Sequence, residues 1–210
     1  MPHEEPTLDY ERYLLLESDS QVVVAIDEVG RGALAGPVTI GAVLIKSDTP
    51  DPPPGVRDSK ALSAPRRARM VPELAAWAQY AVIHVSAQRI DQVGITGALG
   101  EGAVSAVSEL LTFAPNSVAT LLLDGKHDYI SPVCNAWKVC TVIRGDAVCA
   151  SISAASILAK EARDAVMRDL HNEDPRYGWD RNVGYGTTAH RAAISEWGAS
   201  SHHRHTWKLT

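Results

Sequence analysis

No apolar run in the 210-residue sequence approaches the roughly 20 residues that would span a bilayer. The opening Met1-Pro2-His3-Glu4-Glu5 has neither the basic start nor the apolar stretch of a secretory signal. Only three cysteines occur, Cys134, Cys140 and Cys149, and they form no C-x-x-C. An odd count leaves at least one thiol unpaired, which fits a reducing, cytoplasmic setting, and the spacings do not suit a zinc site. Basic charge is not in surplus either: 20 Lys and Arg stand against 25 Asp and Glu, a formal net charge of −5. That balance does not advertise a nucleic-acid binder. A net charge says little about one groove, however, because carboxylates gathered around a cation lower it without removing a local basic patch. Internal repeats and low-complexity segments are absent. What remains has the length and composition of one globular domain able to bury a real core.

Apolar runs predict strands over 21–26, 38–45, 80–86, 118–123 and 140–143. Asp51-Pro52-Pro53-Pro54-Gly55 excludes regular structure. Ser63 reads as a helix N-cap with Pro65 in the first turn, and that helix is expected to break or kink near Pro72. Helical spacing recurs over 96–112, 151–172 and 187–197, the last closed by Gly198. Ser153-Ala154-Ala155-Ser156 is small on all sides, which suits a helix lying close against a sheet. A meander of strands followed by strand–helix alternation predicts an α/β fold, a mixed sheet flanked by helices. Residues 1–20 are expected as a leader or short helix, 21–172 as the core and 173–210 as a helical C-terminal extension.

Three apolar strands each run into an aspartate: Ile26 into Asp27, Leu123 into Asp124, and Val142-Ile143-Arg144-Gly145 into Asp146. A lone strand-end aspartate reads first as a turn former. Three of them at the carboxyl ends of parallel strands could converge on one site. Glu28 adds a fourth carboxylate. Successive strand side chains point to opposite faces, so Asp27 and Glu28 are expected to share a site only where the chain is already leaving strand geometry. Four carboxylates in one cleft call for cations, and hard oxygen ligands suit Mg²⁺ or Mn²⁺. Two such ions about 3.5–4 Å apart are the arrangement for in-line displacement at phosphorus. Gly30-Arg31-Gly32 then lets the backbone approach a bulky anionic ligand.

Asp27-Glu28-Val29-Gly30-Arg31-Gly32, with Ala35-Gly36-Pro37 after it, resembles the opening motif of ribonuclease HII. The resemblance continues through Asp58-Ser59-Lys60, Asp124-Gly125, Gly145-Asp146, the 153–160 stretch with Arg163-Asp164 and Met167, Gly184-Tyr185-Gly186-Thr187, and His203-Arg204. It implies a ribonuclease H-like fold with a helical C-terminal extension. It also implies endonucleolytic cleavage of RNA in RNA–DNA hybrids and 5′ of single ribonucleotides in duplex DNA, leaving 3′-hydroxyl and 5′-phosphate ends. Asp27, Glu28, Asp124 and Asp146 become the catalytic, metal-holding set, with Asp27 bridging two ions. Gly30, Arg31 and Gly32 become the ribose-sensing turn and Tyr185 the junction sensor. Lys60, Arg144 and Arg204 are further expected substrate contacts.

The chain departs from the family pattern in places. Arg144 stands where a lysine is usual, and His203-Arg204-His205-Thr206-Trp207 replaces a more common closing string. The segment between Asp124 and Asp146 is somewhat long. No glutamine-led aromatic box for a sliding clamp is present, and a monomer is expected. The shortness of residues 1–20 is read against the N-terminal binding domain of the sister enzyme, ribonuclease HIII, so that alternative is not expected. The Arg and His residues of the C-terminal stretch predict a modest basic patch at best, and Tyr177 and Trp179 are expected to pack the extension onto the core.

Overall fold

The computed structural model describes residues 5–210. β1 (Val22–Val29) lies antiparallel to β2 (Val38–Lys46), which lies antiparallel to β3 (Gln79–Val85). On the other side of β1, β4 (Ala119–Asp124) is parallel to it, and β5 (Lys138–Val142) is parallel to β4. The result is one mixed sheet in the order β3-β2-β1-β4-β5. The shared polarity of β1, β4 and β5 brings the carboxyl ends of these strands, with Asp27 and Asp124, to the same end of the sheet.

Helices cover both faces, which is why β1 reads as an unbroken apolar run rather than an alternating one. Val22, Val24 and Ile26 pack against Leu99, Ala103 and Leu110 of α3 (Ala87–Leu111). Val23 and Ala25 pack on the opposite face with α4 (Ala150–Glu173) and with Met70 and Leu74 of α2 (Ala64–Trp77). The small stretch of α4 does lie close to the sheet: a Cβ added at Gly41 of β2 would sit 2.2 Å from the Ala155 carbonyl oxygen. Gly41 is also the register partner of Asp27, so this contact sets α4 at the depth where its Ser156 reaches the Asp27 carboxylate.

Some elements differ from expectation. α2 continues through Pro72 to Trp77, because Met70 and Leu74 on one buried face hold both sides of the proline. α3 starts at Ala87, well before position 96, with the Ser86 hydroxyl capping the Arg89 amide at 3.1 Å. Gly94, at φ 75° and ψ 163°, breaks the helical path and hides this first segment from a periodicity count. The N-terminal stretch forms α1 (Asp9–Glu17), with Leu8 and Leu14 buried in the α4-side core. Residues 1–4 of that expected leader lie outside the described residues. At the other end, α5 (Trp179–Asn182) and α6 (Thr188–Trp197) gather Tyr177, Trp179 and Ile194 around Met167 and Leu34. Tyr177 and Trp179 stack with ring centroids 4.9 Å apart, joining the extension to the loop after β1. Among the described residues no helix is long and apolar enough to cross a membrane.

Candidate active site

Strand geometry persists through both acidic residues of β1. Asp27 pairs with Gly41 and Glu28 with Ile40 in the antiparallel ladder, so the expected departure from the strand does not occur. The two side chains therefore take opposite faces. Asp27 meets the Ser156 hydroxyl of α4, while Glu28 Oε2 accepts from the buried Tyr129 hydroxyl at 3.3 Å. They still belong to one charge cluster, because Asp124 at the end of the neighbouring strand acts electrostatically on both. The site is built across the end of the sheet rather than on one side of it.

Asp124 closes β4, and the Gly145 amide donates to its Oδ1 at 2.7 Å. Asp146 sits in the one-turn helix Gly145–Ala147 just before α4, where Ser153 Oγ donates to its carbonyl at 2.7 Å. Its Oδ2 lies 3.5 Å from Lys60 Nζ. Lys60 belongs to a turn with a firm footing. The Asp58 carboxylate accepts from the Lys60 amide at 2.9 Å, and Ser59 and Ser156 share a buried hydroxyl contact of 2.9 Å. Arg67 of α2 donates to the Ser59 and Leu62 carbonyls at 3.2 and 2.8 Å and pairs with Glu161 at 2.9 Å.

This concentration of negative charge is costly. Burial pushes the Asp27 carboxyl from 3.8 up to about 8, with Glu28 and Asp124 adding to the rise and Ser156 opposing it. Glu28 is raised by burial and by Asp124, against the Arg31 guanidinium 3.2 Å away and the Tyr129 hydroxyl. Asp146 is raised by burial, Asp124 and Asp58, against Lys60. Lys60 is raised in turn: partial burial disfavours its charge, but Asp146, Asp58 and Asp27 outweigh that. Clustered carboxylates that hold protons this tightly fit divalent cations, since a cation relieves the repulsion that a proton otherwise must. All four donors are hard oxygens, the set that suits Mg²⁺-like ions. Among the described residues no three or more His, Cys, Asp or Glu side chains are gathered into a ready metal-holding group.

The remaining expected site residues fall into two groups. Arg31 is half-exposed, Lys60 and Arg144 are exposed, and Tyr185 is 39% exposed with Arg163 Cζ 5.8 Å from its ring centroid. Arg144 occupies the left-handed region at φ 59°. Arg204 is different, and the expectation of a direct substrate contact is corrected. It is fully buried, with its guanidinium on the carbonyls of Gly30, Arg31 and Gly36. The expected basic patch is likewise spent internally, with Arg176 on Asp174 and Arg191 on the Lys208 and Leu209 carbonyls. His203 is buried and hydrogen-bonded to Ser200 and His190, and burial pulls it down to about 4. Sequence reasoning gave no role to Tyr129 or Arg67 and did not single out Ser156 as a partner of Asp27. Tyr129 and Arg67 lie far from Glu28 and Glu161 in sequence, and only the small-residue run around Ser156 hinted at contact.

The family model described as Ribonuclease HII matches residues 24–210. A Ribonuclease HII of Streptomyces avermitilis is 43% identical over 208 residues, covering 99% of this chain and 85% of that protein. One from Ruegeria sp. is 43% identical over 189 residues, covering 89% of this chain and 77% of its own. Among solved structures, the PCNA:RNase HII complex from Archaeoglobus fulgidus aligns with a TM-score of 0.69 at 24% identity, over 90% of this chain and 96% of that one. Bst-RNase HIII in complex with Mn²⁺ aligns at 0.68 and 17% identity, over 97% of this chain and 71% of its own. These structural likenesses speak for a ribonuclease H-like fold, and the sequence matches go further: the chain belongs to the ribonuclease HII family and is a metal-dependent endoribonuclease of RNA–DNA hybrids.

Proposed function

We propose that this protein cleaves the RNA strand of hybrids, and also cuts 5′ of single ribonucleotides embedded in duplex DNA, by two-metal-ion hydrolysis that leaves 3′-hydroxyl and 5′-phosphate ends. The observation that carries the reading is the meeting of Asp27, Glu28, Asp124 and Asp146 at one end of the sheet, with three of their carboxyls raised by burial and mutual repulsion. Mg²⁺ or Mn²⁺ fits this donor set, and Mn²⁺ accompanies the Bst-RNase HIII neighbour. When bound, two such ions supply Lewis acidity at the attacked phosphate and at the leaving oxygen.

The chain's own residues do the rest. Asp27, Glu28, Asp124 and Asp146 would hold these ions. Ser156 and Tyr129 fix the carboxylates of Asp27 and Glu28 from the two sides of the sheet. Arg31, Lys60 and Arg144 present cations to the phosphate backbone beside this cluster. Backbone groups of Gly30–Gly32 meet the ribose 2′-hydroxyl, the one group distinguishing ribose from deoxyribose at a single site. The exposed ring of Tyr185 lies against the sugar that follows.

The test is a labelled DNA duplex carrying one ribonucleotide, incubated with Mg²⁺ or Mn²⁺. A single cut 5′ of the ribonucleotide, with an all-DNA duplex untouched, is expected. Equal cutting of the all-DNA duplex would place the protein with two-metal nucleases that lack a ribose sensor. Tight binding without turnover at any metal concentration would make it a non-catalytic binding module.

A further inference from the structure

Arg204 has an unusual position for a charged side chain. It is fully buried in the C-terminal extension, and its guanidinium points at the underside of the turn after β1. Nη2 donates to the Gly30 carbonyl at 2.7 Å, Nη1 to the Arg31 carbonyl at 2.8 Å, and Nη2 again to the Gly36 carbonyl at 3.3 Å. The Trp207 ring lies 4.9 Å from Cζ and covers the group from another side. Burial and the neighbouring Arg163 lower its pKa only to about 10, so it stays cationic at neutral pH.

The consequence follows from the peptide bond. In a trans peptide the carbonyl and the following N–H point in opposite directions. Gly30 and Arg31 carbonyls turned inward to Arg204 therefore turn the amides of Arg31 and Gly32 outward. Neither amide has a backbone partner among the described residues, whereas the next one, Ala33, donates back to Gly30 at 3.2 Å. Both residues are exposed, and nothing lies within 4 Å of a Cβ built on Gly32. Gly30 is bound to this shape: it holds φ +85°, and a Cβ there would overlap the Arg163 side chain. Successive free amides on one turn can bind an anion or a hydroxyl.

We infer that Arg204 is the positioning residue for ribose recognition, acting from beneath by holding the Arg31 and Gly32 amides toward the substrate. The inference rests on the reading of Gly30–Gly32 as the ribose-sensing turn. It also explains how a buried arginine can affect the substrate without touching it. Lysine cannot replace it, because one ammonium lacks the planar fork that grips several carbonyls at once.

The experiment uses full-length protein with Ca²⁺ in place of the catalytic ion, and two duplexes of one sequence, one with a single ribonucleotide and one all-DNA. Arg204→Lys should bind all-DNA as wild type does but lose about tenfold of the preference for the ribonucleotide duplex, the scale of one good hydrogen bond. Tyr177→Phe, which removes a bond to the Gly198 carbonyl in the same extension, should lower the melting temperature and leave the preference intact. An Arg204→Lys protein with the full wild-type preference overturns the inference. Amide NMR on wild type tests it without relying on a variant: the Arg31 and Gly32 resonances should shift on adding the ribonucleotide duplex and much less with all-DNA. A wild type that prefers the ribonucleotide duplex while those two amides stay still overturns the role of Arg204 alone. A wild type with no preference at all overturns the ribose-sensing reading and this inference together.

Discussion

Removing the charge of Asp27 should destroy activity yet make the metal-free protein more stable, and the gain should grow with pH. Asp27 is buried, and its carboxyl is raised from 3.8 to about 8. In the unfolded chain it ionises near its ordinary value, so between those two limits the folded state binds the extra proton. Stability from this group is then fully present below about pH 4 and is lost as pH rises toward 8. Inside that window the slope approaches about 1.4 kcal/mol per pH unit, so moving from about pH 5 to 7 costs at most about 2.7 kcal/mol. Sharing of the proton with Glu28 and Asp124 makes this an upper value. Asparagine keeps the shape and does not titrate. For a chain of this size each kcal/mol moves the melting temperature by about 2–4 °C. The advantage of Asp27→Asn over wild type in EDTA should therefore widen by up to about 5–10 °C across that range. Saturating Mn²⁺ should narrow or reverse it, because bound ions stabilise the folded wild type by mass action. Thermal melts at several pH values decide the matter. A gap that does not change with pH, or a variant less stable than wild type in EDTA at neutral pH, refutes the electrostatic account of the site.

Other outcomes follow from the same geometry. Asp124→Asn should lower turnover by roughly 10³-fold while binding measured in Ca²⁺ survives, and an active variant in Mg²⁺ would remove Asp124 from the site. Gly41→Ala should cost about 1–3 kcal/mol and reduce activity, since its Cβ must displace α4 from beside Asp27; a melt and a rate matching wild type would show that the contact is not needed. Duplex affinity should fall with salt despite the net negative charge, each neutralised phosphate adding about −0.9 to the log–log slope. Lys60→Ala should flatten that slope, and a salt-independent wild type would contradict a phosphate-tracking groove. Tyr185→Ala should lose much of the cleavage at a single ribonucleotide, on the scale of one stacked ring at about 1–3 kcal/mol, whereas Tyr185→Phe should retain more. Equal rates for both variants and wild type, or a large drop in melting temperature for Ala, would assign the ring a structural role instead.

The sheet and the places of its acidic residues were legible because their signals are local. Apolar runs ending in Asp27 and Asp124 announce both strands, and the small residues of α4 announce its close approach to the sheet. What could not be read lies in tertiary contacts. The persistence of β1 through Glu28 depends on pairing with Ile40 of β2, which no local pattern records. Arg204 looks like any exposed arginine near a chain end until the Gly30 turn folds over it. The first part of α3 was hidden by one glycine, and α2 survives Pro72 because tertiary burial outweighs a missing backbone hydrogen bond.

The parallel register of β1, β4 and β5 has a consequence for how the protein comes into being. Asp27 emerges from the ribosome before Asp124 and Asp146, its strand is complete on one side only when β4 has been made, and Asp146 arrives later still. The turn after β1 is gripped by Arg204, which lies 174 residues further along the chain than Gly30. Pairings between such distant segments carry a large loop-closure cost and form slowly. A nascent or truncated chain should therefore be inert toward nucleic acid, and cutting competence should appear in one late step as the C-terminal segment closes over the loop after β1.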